Sequence, residues 1–208
     1  MLSAGCPRCQ SPVTESAGEW SCPVHGPVPV LWRPATASYD AFVAHLERAG
    51  GFPTYLPWPM AVGWRVSDFG VVRDARGPRA TVTGISGTSV LDGPVDVLVV
   101  TEEPGTGLGG RVARLVSSDP TGVGEGSPVA KVRVDSGSVP LWQVSTSAAD
   151  GEFDRMVLAG EARARWLWLV LRPASAILLL RDEWILRDVA VAGPALVEME
   201  FGGPAPAW

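Results

Sequence analysis

Lysine is almost absent from this sequence. Lysine and arginine together number 17, of which only Lys131 is a lysine, against 22 acidic residues, so the formal net charge is -5. This bias toward arginine, with abundant alanine, glycine, proline and valine, indicates a GC-rich genome. No run of basic residues gathers the cations, whereas proteins that bind nucleic acids concentrate them on one face. The composition therefore argues against a nucleic-acid partner.

A hydrophobic run long enough to cross a membrane is also missing. The most apolar segment, 166–180, is interrupted by Arg172 and Pro173, and neither half approaches the ~20 apolar residues of a spanning helix. The opening MLSAGCPRC has no basic start followed by an apolar stretch, which a secretion signal would have. We therefore expect a soluble, cytoplasmic protein with no membrane partner.

Cysteine is scarce and confined to the first 22 residues, where Cys6, Cys9, Cys22 and His25 form the pattern C-x2-C-x12-C-x2-H. Three cysteines cannot pair off, which argues against a secreted disulfide framework. A two-residue gap lets one tight turn direct two ligands at the same ion, and zinc favours four tetrahedral nitrogen and sulfur ligands. The spacing predicts a structural Zn2+ held by these four residues. A redox role for the C-x-x-C pair is the alternative, but no thioredoxin-like βαβ pattern surrounds it.

The segment between the two ligand pairs predicts a small hairpin over 13–21, so residues 1–34 have the layout of a zinc ribbon. The two arginines of this module are balanced by two glutamates. Phosphate contacts dominate nucleic-acid affinity, and a module of zero net charge offers few of them. Contact with another protein, or with a second copy of the chain, is the favoured use.

Residues 35–62 are predicted to connect the ribbon to the rest of the chain. Tyr39, Phe42, Val43 and Leu46 recur at helical spacing after a possible N-cap at Ser38, which predicts one amphipathic helix over 38–49. His45 lies beside this apolar stripe and is expected to be a flanking residue rather than a catalyst.

The Pro- and Trp-rich segment 52–64 cannot be helical, because three prolines interrupt it. One interpretation makes it an extended strap that docks the ribbon and helix by burying its aromatic side chains. The other makes it an exposed tryptophan and proline surface for a partner, since aromatic residues dominate binding hot spots.

Residues 63–208 predict a β-rich domain. The α+β fold class expected is a zinc ribbon, one helix and a mainly antiparallel sheet, with a hairpin turn at 135–138. In EARARWLWLVL, Ala162, Ala164, Trp166 and Trp168 are expected to share one face of a strand. Segment 176–189 fits either a strand or a helix that begins at Pro173. The strand-like stretches are WRVSDFGVV, ATVTGIS, VDVLVV, VAKVRV, PLWQVST and ARARWLWLVL.

A glycine-rich loop over 101–115 suggests a second kind of site, because Gly105, Gly107 and Gly110 match G-x-G-x-x-G. Such loops bind phosphate through backbone N–H groups. However, four residues separate the strand from the first glycine, and Glu102 and Glu103 would repel a phosphate. A nucleotide or small-ligand site, with enzyme activity, is therefore an alternative. No complete catalytic constellation is present, which leans the interpretation away from an enzyme.

The closing FGGPAPAW is either a frayed tail or an arm whose Trp208 docks. Together with CPRCxSPVT, LWRP, YDAFxxHLxRAGGFPTYLPWPM, GWRVSDFG and LLLRDEWILRDV, it gives the chain a likeness that runs nearly end to end. The chain resembles an uncharacterised family of actinobacterial proteins with an N-terminal zinc ribbon. The resemblance implies a bacterial cytosolic protein and supplies no catalytic residues.

The leading hypothesis is a non-enzymatic adaptor that contacts proteins, followed by the nucleotide-binding alternative and a weaker one, a transcription-associated ribbon.

Overall fold

One large β-sheet organises the chain. A computed structural model describes residues 1–144, 154–182 and 184–208. In it, eleven strands pair in the order β1-β5-β7-β8-β9-β13-β12-β11-β10-β14-β6, and β2, β3 and β4 form a second, three-stranded sheet. Neighbouring strands are antiparallel apart from β10 and β14, which are parallel. The strands are Leu2–Gly5 (β1), Thr14–Ser16 (β2), Glu19–Cys22 (β3), Gly26–Pro27 (β4), Val30–Pro34 (β5), Tyr55–Pro57 (β6), Arg65–Asp74 (β7), Gly77–Ser89 (β8), Gly93–Glu102 (β9), Ala130–Val134 (β10), Gly137–Gln143 (β11), Met156–Ala162 (β12), Arg165–Arg172 (β13) and Ile185–Asp188 (β14).

The helical segments are few and short, so the predicted β-rich α+β class is confirmed. They are the α-helices Tyr39–Ala49 (α1) and Leu108–Val112 (α2) and the 3-10 helices Ala174–Asp182, Val189–Val191 and Gly193–Glu198. None of the helices in the described ranges is long and apolar enough to cross a membrane. The last two residues of the predicted strand PLWQVST, 145 and 146, lie outside the described residues.

Both faces of the large sheet are covered, which explains the unbroken apolar runs in its central strands. On one face, Leu167, Leu169 and Leu171 pack in a core that includes Phe42 of α1. On the other, Trp168 and Val170 pack with α2 and with Trp208. Alternate residues of β13 therefore serve two separate cores, as the two-residue period of a strand requires.

The hairpin turns agree with the sequence in one place and differ in another. The turn predicted at 135–138 joins β10 to β11, where Asp135 has a positive φ of 54°. The prediction that Ala162, Ala164, Trp166 and Trp168 share one face of a strand is wrong, because Arg163 and Ala164 form the turn between β12 and β13 with φ of 54° and 59°. Glycine or asparagine usually marks such a turn, and an Arg-Ala pair gives no such signal.

Helix α1 confirms the predicted helix and its ends. The Ser38 hydroxyl accepts a hydrogen bond from the Ala41 N–H at 3.3 Å, and Gly50 ends the helix in the left-handed region with φ of 52°. The buried face consists of Ala41, Phe42, His45 and Ala49. It is rotated from the predicted stripe because alanine and histidine carry part of it.

His45 is a core residue, not the flanking residue expected from the sequence. Its side chain is fully buried, stacks against the Phe42 ring at 5.5 Å, and meets the Phe69 ring edge-on at 5.4 Å. Its Nε2 lies 3.2 Å from the Thr54 hydroxyl, and Nδ1 has no partner among the described residues. Burial lowers the pKa of His45 to about 3, so the ring is neutral at physiological pH.

The folded-state pKa of His45 is depressed below its unfolded value of about 6.5. Above pH 6.5 the imidazole is neutral in both states, and its titration does not lower the free energy of unfolding. As the pH falls toward 3, the unfolded chain takes up a proton that the folded chain refuses, which costs up to about 1.4 kcal/mol per pH unit. In His45→Phe this cost is absent. We expect urea denaturation between pH 7 and 4 to show a steeper loss of stability in the wild type than in the variant; parallel pH profiles would contradict this.

The segment 52–64 combines the two interpretations. Its first half is buried. Strand β6 is the last strand in the order of the large sheet and also contacts β8, where the Tyr55 carbonyl accepts a hydrogen bond from the Thr83 hydroxyl at 2.6 Å. Its middle reaches the surface, where Trp58 and Met60 are partly exposed and Val62 is fully exposed, but Trp64 at its end is buried again. The segment is thus a buried strap at both ends with an open surface between them.

Segment 176–189 likewise contains both elements that the sequence left open. A 3-10 helix, Ala174–Asp182, covers the first part and strand β14 the second, with residue 183 outside the described ranges.

Strands β1 and β5, which flank the metal ligands, belong to the large sheet, as does β6. The domain boundaries 1–34, 35–62 and 63–208 stay predictions.

Candidate metal centre

The four predicted ligands meet at one point. Their ligand atoms all lie within 4.8 Å of one another. The His25 Nδ1 is 3.6 Å from the Sγ atoms of both Cys6 and Cys22, and the Cys9 and Cys22 Sγ atoms are 3.6 Å apart. Three thiols and one imidazole are a donor set that suits Zn2+. The arrangement could therefore hold a metal ion.

Each ligand pair is shaped by a short turn with the same internal hydrogen bond. The Arg8 N–H points to the Cys6 Sγ, and the Val24 N–H points to the Cys22 Sγ, both at 3.4 Å. These amides stabilise negative charge on the sulfur atoms, as a metal-bound thiolate requires. The equivalence of the two turns follows from the shared C-P-x-[CH] spacing in the sequence.

The three-stranded sheet sets the distance between the two turns. Strands β2 and β3 pair with Ser16 opposite Glu19, and the turn at Ala17 and Gly18 has φ of 54° and 81°. Strand β4 then pairs with β3, so that Cys22 faces Gly26. The hairpin predicted over 13–21 is therefore confirmed, and it brings the second ligand pair back to the first.

Burial divides the ligands into two kinds. The Cys6 and Cys22 side chains are inaccessible, whereas Cys9 and His25 are more open. Burial raises the pKa of the Cys6 thiol to about 11. Burial also acts to raise the pKa of Cys9, but hydrogen bonds from Ser11 and the neighbouring thiols lower it to about 6. A bound ion would need Cys6 as a thiolate, so metal binding would release its proton.

The glycine-rich loop does not lie apart from this centre, because it is the surface on which the first ligand turn docks. The Arg8 guanidinium donates to the Gly105 carbonyl at 2.7 Å and to the Thr106 carbonyl at 3.3 Å. In return, Arg111 donates to the Cys6 carbonyl. Two reciprocal arginine contacts thus join residues that are about a hundred positions apart in the chain. No local sequence signal announces such a contact.

The backbone N–H groups that a phosphate would need are already used. The Glu102 carboxylate accepts hydrogen bonds from the Leu108 N–H at 2.8 Å, the Gly109 N–H at 3.2 Å and the Trp168 indole N–H at 2.7 Å. Burial raises the pKa of Glu102 to about 7 in spite of these donors. The glutamate thus occupies the position in which a phosphate-binding loop holds its ligand, and α2 has only five residues.

Gly110, the third glycine of the motif, is required by packing. A Cβ atom at this position would overlap the carbonyl oxygen of Ser117. At Gly137, by contrast, the nearest atom to such a Cβ would be 3.7 Å away. The glycine pattern has a steric explanation at its last position.

We therefore expect Gly110→Ala to lower the free energy of unfolding by about 1–3 kcal/mol, as overpacking does, while Gly137→Ala changes it by less than about 1 kcal/mol. Denaturant titration of both variants, in the absence of any nucleotide, measures the difference. Equal stabilities of the two variants would show that the contact at Ser117 is unimportant.

A network around Asp68 lies on the same side of the sheet as this docking contact, and sequence reasoning missed it. Asp68 is 1% exposed and accepts two hydrogen bonds from Arg33, at 2.8 and 2.6 Å, and one from the Trp208 indole N–H at 2.6 Å. The Trp208 ring lies between two guanidinium groups, 4.2 Å from Arg33 and 4.7 Å from Arg111. The docked-arm interpretation of Trp208 therefore describes the structure. In the sequence, only Trp208 indicates this network; nothing there points to Asp68 or Arg33.

Comparison with known proteins gives a family but no function. The model of DUF6758, a family of unknown function, matches residues 2–208. No curated protein and no solved structure matches the chain significantly.

Proposed function

The chain belongs to the DUF6758 family, and from this premise we propose that it is a non-enzymatic adaptor with a structural Zn2+, which binds an apolar segment of a partner protein. The observation that supports this is an open apolar cleft at the end of the strap. It has a volume of about 430 Å3. The residues that define it, called the apolar cleft below, are Trp58, Met60, Trp64, Val90, Leu91 and Trp184.

The rim of the apolar cleft is exposed to an extent that is unusual for large apolar side chains. Val90 and Leu91, at the tip of the β8–β9 hairpin, are 103% and 76% exposed. Scattered exposed apolar residues need no explanation, but a contiguous group marks a contact surface. Trp58 and Trp184, which are partly exposed beside this rim, are side chains of the kind that dominates binding energy in protein interfaces, while Trp64 is buried.

The composition of the apolar cleft supports a protein segment as the occupant. None of the residues that line it carries a charge, and its polar lining is limited to Thr88 and Ser89. A charged ligand would lose its hydration there without gaining a partner. An apolar segment of a folded or extended chain would instead bury its surface against the tryptophans.

The alternatives have less support. The nucleotide hypothesis based on Gly105, Gly107 and Gly110 loses its backbone donors to Glu102. The nucleic-acid hypothesis has little charge to rest on, because residues 1–34 hold two arginines and two glutamates and both arginines already make hydrogen bonds within the molecule, Arg8 to loop carbonyls and Arg33 to Asp68. The exposed hairpin of the ribbon carries glutamates instead.

The proposal also covers the cellular compartment of the protein and the kind of genome that encodes it. Three cysteines gathered at one ligand site require a reducing compartment, which supports the cytoplasm. The bias toward arginine over lysine supports a GC-rich actinobacterial genome. The zinc site has no open position, since four protein ligands complete a tetrahedron, and this supports a structural rather than catalytic ion.

Affinity capture with matched variants tests the contact surface. Metal-loaded wild type, Val90→Asp/Leu91→Asp and the control Val191→Asp/Val197→Asp are each immobilised and exposed to native cytosol. The control introduces the same charge at two positions that are 74% and 72% exposed and do not line the apolar cleft. We expect a partner that the wild type and the control retain and that the cleft variant loses.

Size-exclusion chromatography with light scattering of the same three proteins identifies one special case. A dimer that the cleft variant alone fails to form would make the partner a second copy of this chain. Equal retention of every captured protein by all three forms, with no difference in oligomeric state, would contradict the proposal.

A further inference from the structure

We propose that the chain binds a compact oxyanion, with the chemistry of phosphate or a phosphoryl group, in a small cleft between the metal centre and the glycine-rich loop. This cleft has a volume of about 190 Å3. The polar side chains that line it, and that define the seam cleft, are Arg8, His25, Arg111, Ser117 and Ser118. All of them can donate hydrogen bonds, and no carboxylate lines the cleft. The seam cleft and the apolar cleft share no lining residue.

His25 contributes a donor whose direction is fixed by the metal site. Its Nδ1 faces the thiols of Cys6 and Cys22, so a bound metal leaves the proton on Nε2. Metal-ligating histidines commonly donate this second N–H to a carboxylate or a carbonyl. Among the described residues, none accepts a hydrogen bond from the His25 Nε2. An anion in the seam cleft would supply the missing acceptor.

The two arginines have donors to spare. Arg8 uses Nε and one terminal nitrogen on the carbonyls of Thr106 and Gly105, and a guanidinium has five N–H groups. Arg111 uses one terminal nitrogen on the Cys6 carbonyl, while its buried Nε has no hydrogen-bond partner in the described residues. Neither guanidinium forms an ion pair with a carboxylate of the described part of the chain.

The guanidinium groups of Arg8 and Arg111 are the charged groups that line the seam cleft. Two carboxylates lie nearby, but each is already hydrogen-bonded elsewhere: Asp119 to the Gly105 N–H at 2.8 Å and the Trp166 indole N–H at 3.0 Å, and Asp68 to Arg33 and the Trp208 indole N–H. The seam cleft therefore presents two cations and no carboxylate to a ligand. Charge-assisted hydrogen bonds from guanidinium and hydroxyl groups are the ones that recognise phosphate oxygens.

The size of the seam cleft limits the ligand to a compact group. At about 190 Å3 it is smaller than the pockets of about 300–1,000 Å3 that enclose drug-sized ligands. A nucleoside would not fit beside a phosphate in this volume. The site therefore differs from the dinucleotide loop that the glycine pattern suggests, because side chains rather than backbone amides supply the donors.

Isothermal titration of the metal-loaded full chain, in a phosphate-free buffer, tests the proposal. The probes are inorganic phosphate and O-phosphoserine, with sodium chloride of equal ionic strength as a control. We expect saturable binding of one equivalent. Arg8→Gln should weaken it about 10-fold or more, since it removes a charged donor. Lys131→Gln, which removes the same charge from β10 outside the seam cleft, should have no effect.

Because Arg8 also holds the ribbon against the loop, a second variant separates binding from folding. Ser118→Ala removes a hydroxyl that makes no hydrogen bond to the described residues and should weaken binding about 3-fold to 10-fold. Its metal content and thermal midpoint should equal those of the wild type. Tighter binding of O-phosphoserine than of phosphate would identify the phosphoryl group of a larger molecule as the ligand; equal binding would identify the free ion.

Three results would overturn the proposal. One is the absence of saturable heat with both probes. Another is an equal loss of affinity in Arg8→Gln and Lys131→Gln, which would indicate binding through general charge. The third is an unchanged affinity in both single variants, Ser118→Ala and Arg8→Gln, which would place any binding elsewhere on the chain.

Discussion

Removing the metal from the Cys3His centre is expected to lower the thermal midpoint of the whole chain by about 10 °C or more. A ribbon of this size cannot bury enough surface to fold alone, so a bound metal is expected to supply the stability that a larger core would give. A loss of several kcal/mol shifts the midpoint of a chain of about 200 residues by about 2–4 °C per kcal/mol. The loss should spread, because strands β1 and β5 on either side of the ligands belong to the large sheet.

The docking contacts explain why the effect should not be confined to the first residues. Arg111 is held by the Cys6 carbonyl and stacks on the Trp208 ring. Disorder at the first ligand turn would release this guanidinium and loosen the tryptophan. The metal centre is therefore coupled to the sheet through side chains as well as through the backbone.

Chelation followed by readdition of Zn2+ provides the measurement. Wild type should lose one equivalent of zinc, unfold at a lower temperature and recover on readdition, as followed by elemental analysis and differential scanning calorimetry. Cys22→Ser should behave like chelated wild type with or without zinc, while the neighbouring Ser21→Ala should behave like untreated wild type. A protein purified without zinc, with three titratable thiols and an unchanged midpoint, would contradict a structural ion.

The Cys3His cluster could be predicted from the sequence because the spacing of its residues is local. A two-residue gap determines where two side chains can point, whatever the rest of the chain does. The same holds for α1, whose Ser38 cap and Gly50 end are read from adjacent residues. Both elements can be predicted because the residues that determine them lie within a few positions of each other in the sequence.

Contacts between distant residues could not be predicted in this way. The sequence predicts that Glu102 repels a phosphate, whereas in the structure its carboxylate accepts hydrogen bonds at the start of α2. It predicts His45 beside the apolar stripe, whereas the ring packs against Phe42 and Phe69. In each case one partner comes from a distant strand, Trp168 of β13 for Glu102 and Phe69 of β7 for His45, and the local pattern does not contain that information.

Asp68→Ala is expected to have the other large effect, a loss of about 3–5 kcal/mol in the free energy of unfolding. It removes one buried partner and leaves the Arg33 guanidinium and the Trp208 indole N–H without acceptors, which costs more than the pair contributes. The Phe69 N–H, which donates to Asp68 at 2.9 Å, would lose its acceptor as well. Asp74→Ala, which removes a surface carboxylate 3.7 Å from Arg79, should cost less than about 1 kcal/mol.

A double-mutant cycle with Trp208→Phe separates the network from the loss of a carboxylate. Phenylalanine keeps an aromatic ring between Arg33 and Arg111 but has no indole N–H. Because both substitutions break the same 2.6 Å hydrogen bond, the double variant should be more stable than the sum of the two single losses implies, by about 0.5–3 kcal/mol. Additive losses would mean that Asp68 stabilises the sheet through Arg33 alone and that Trp208 docks by its ring.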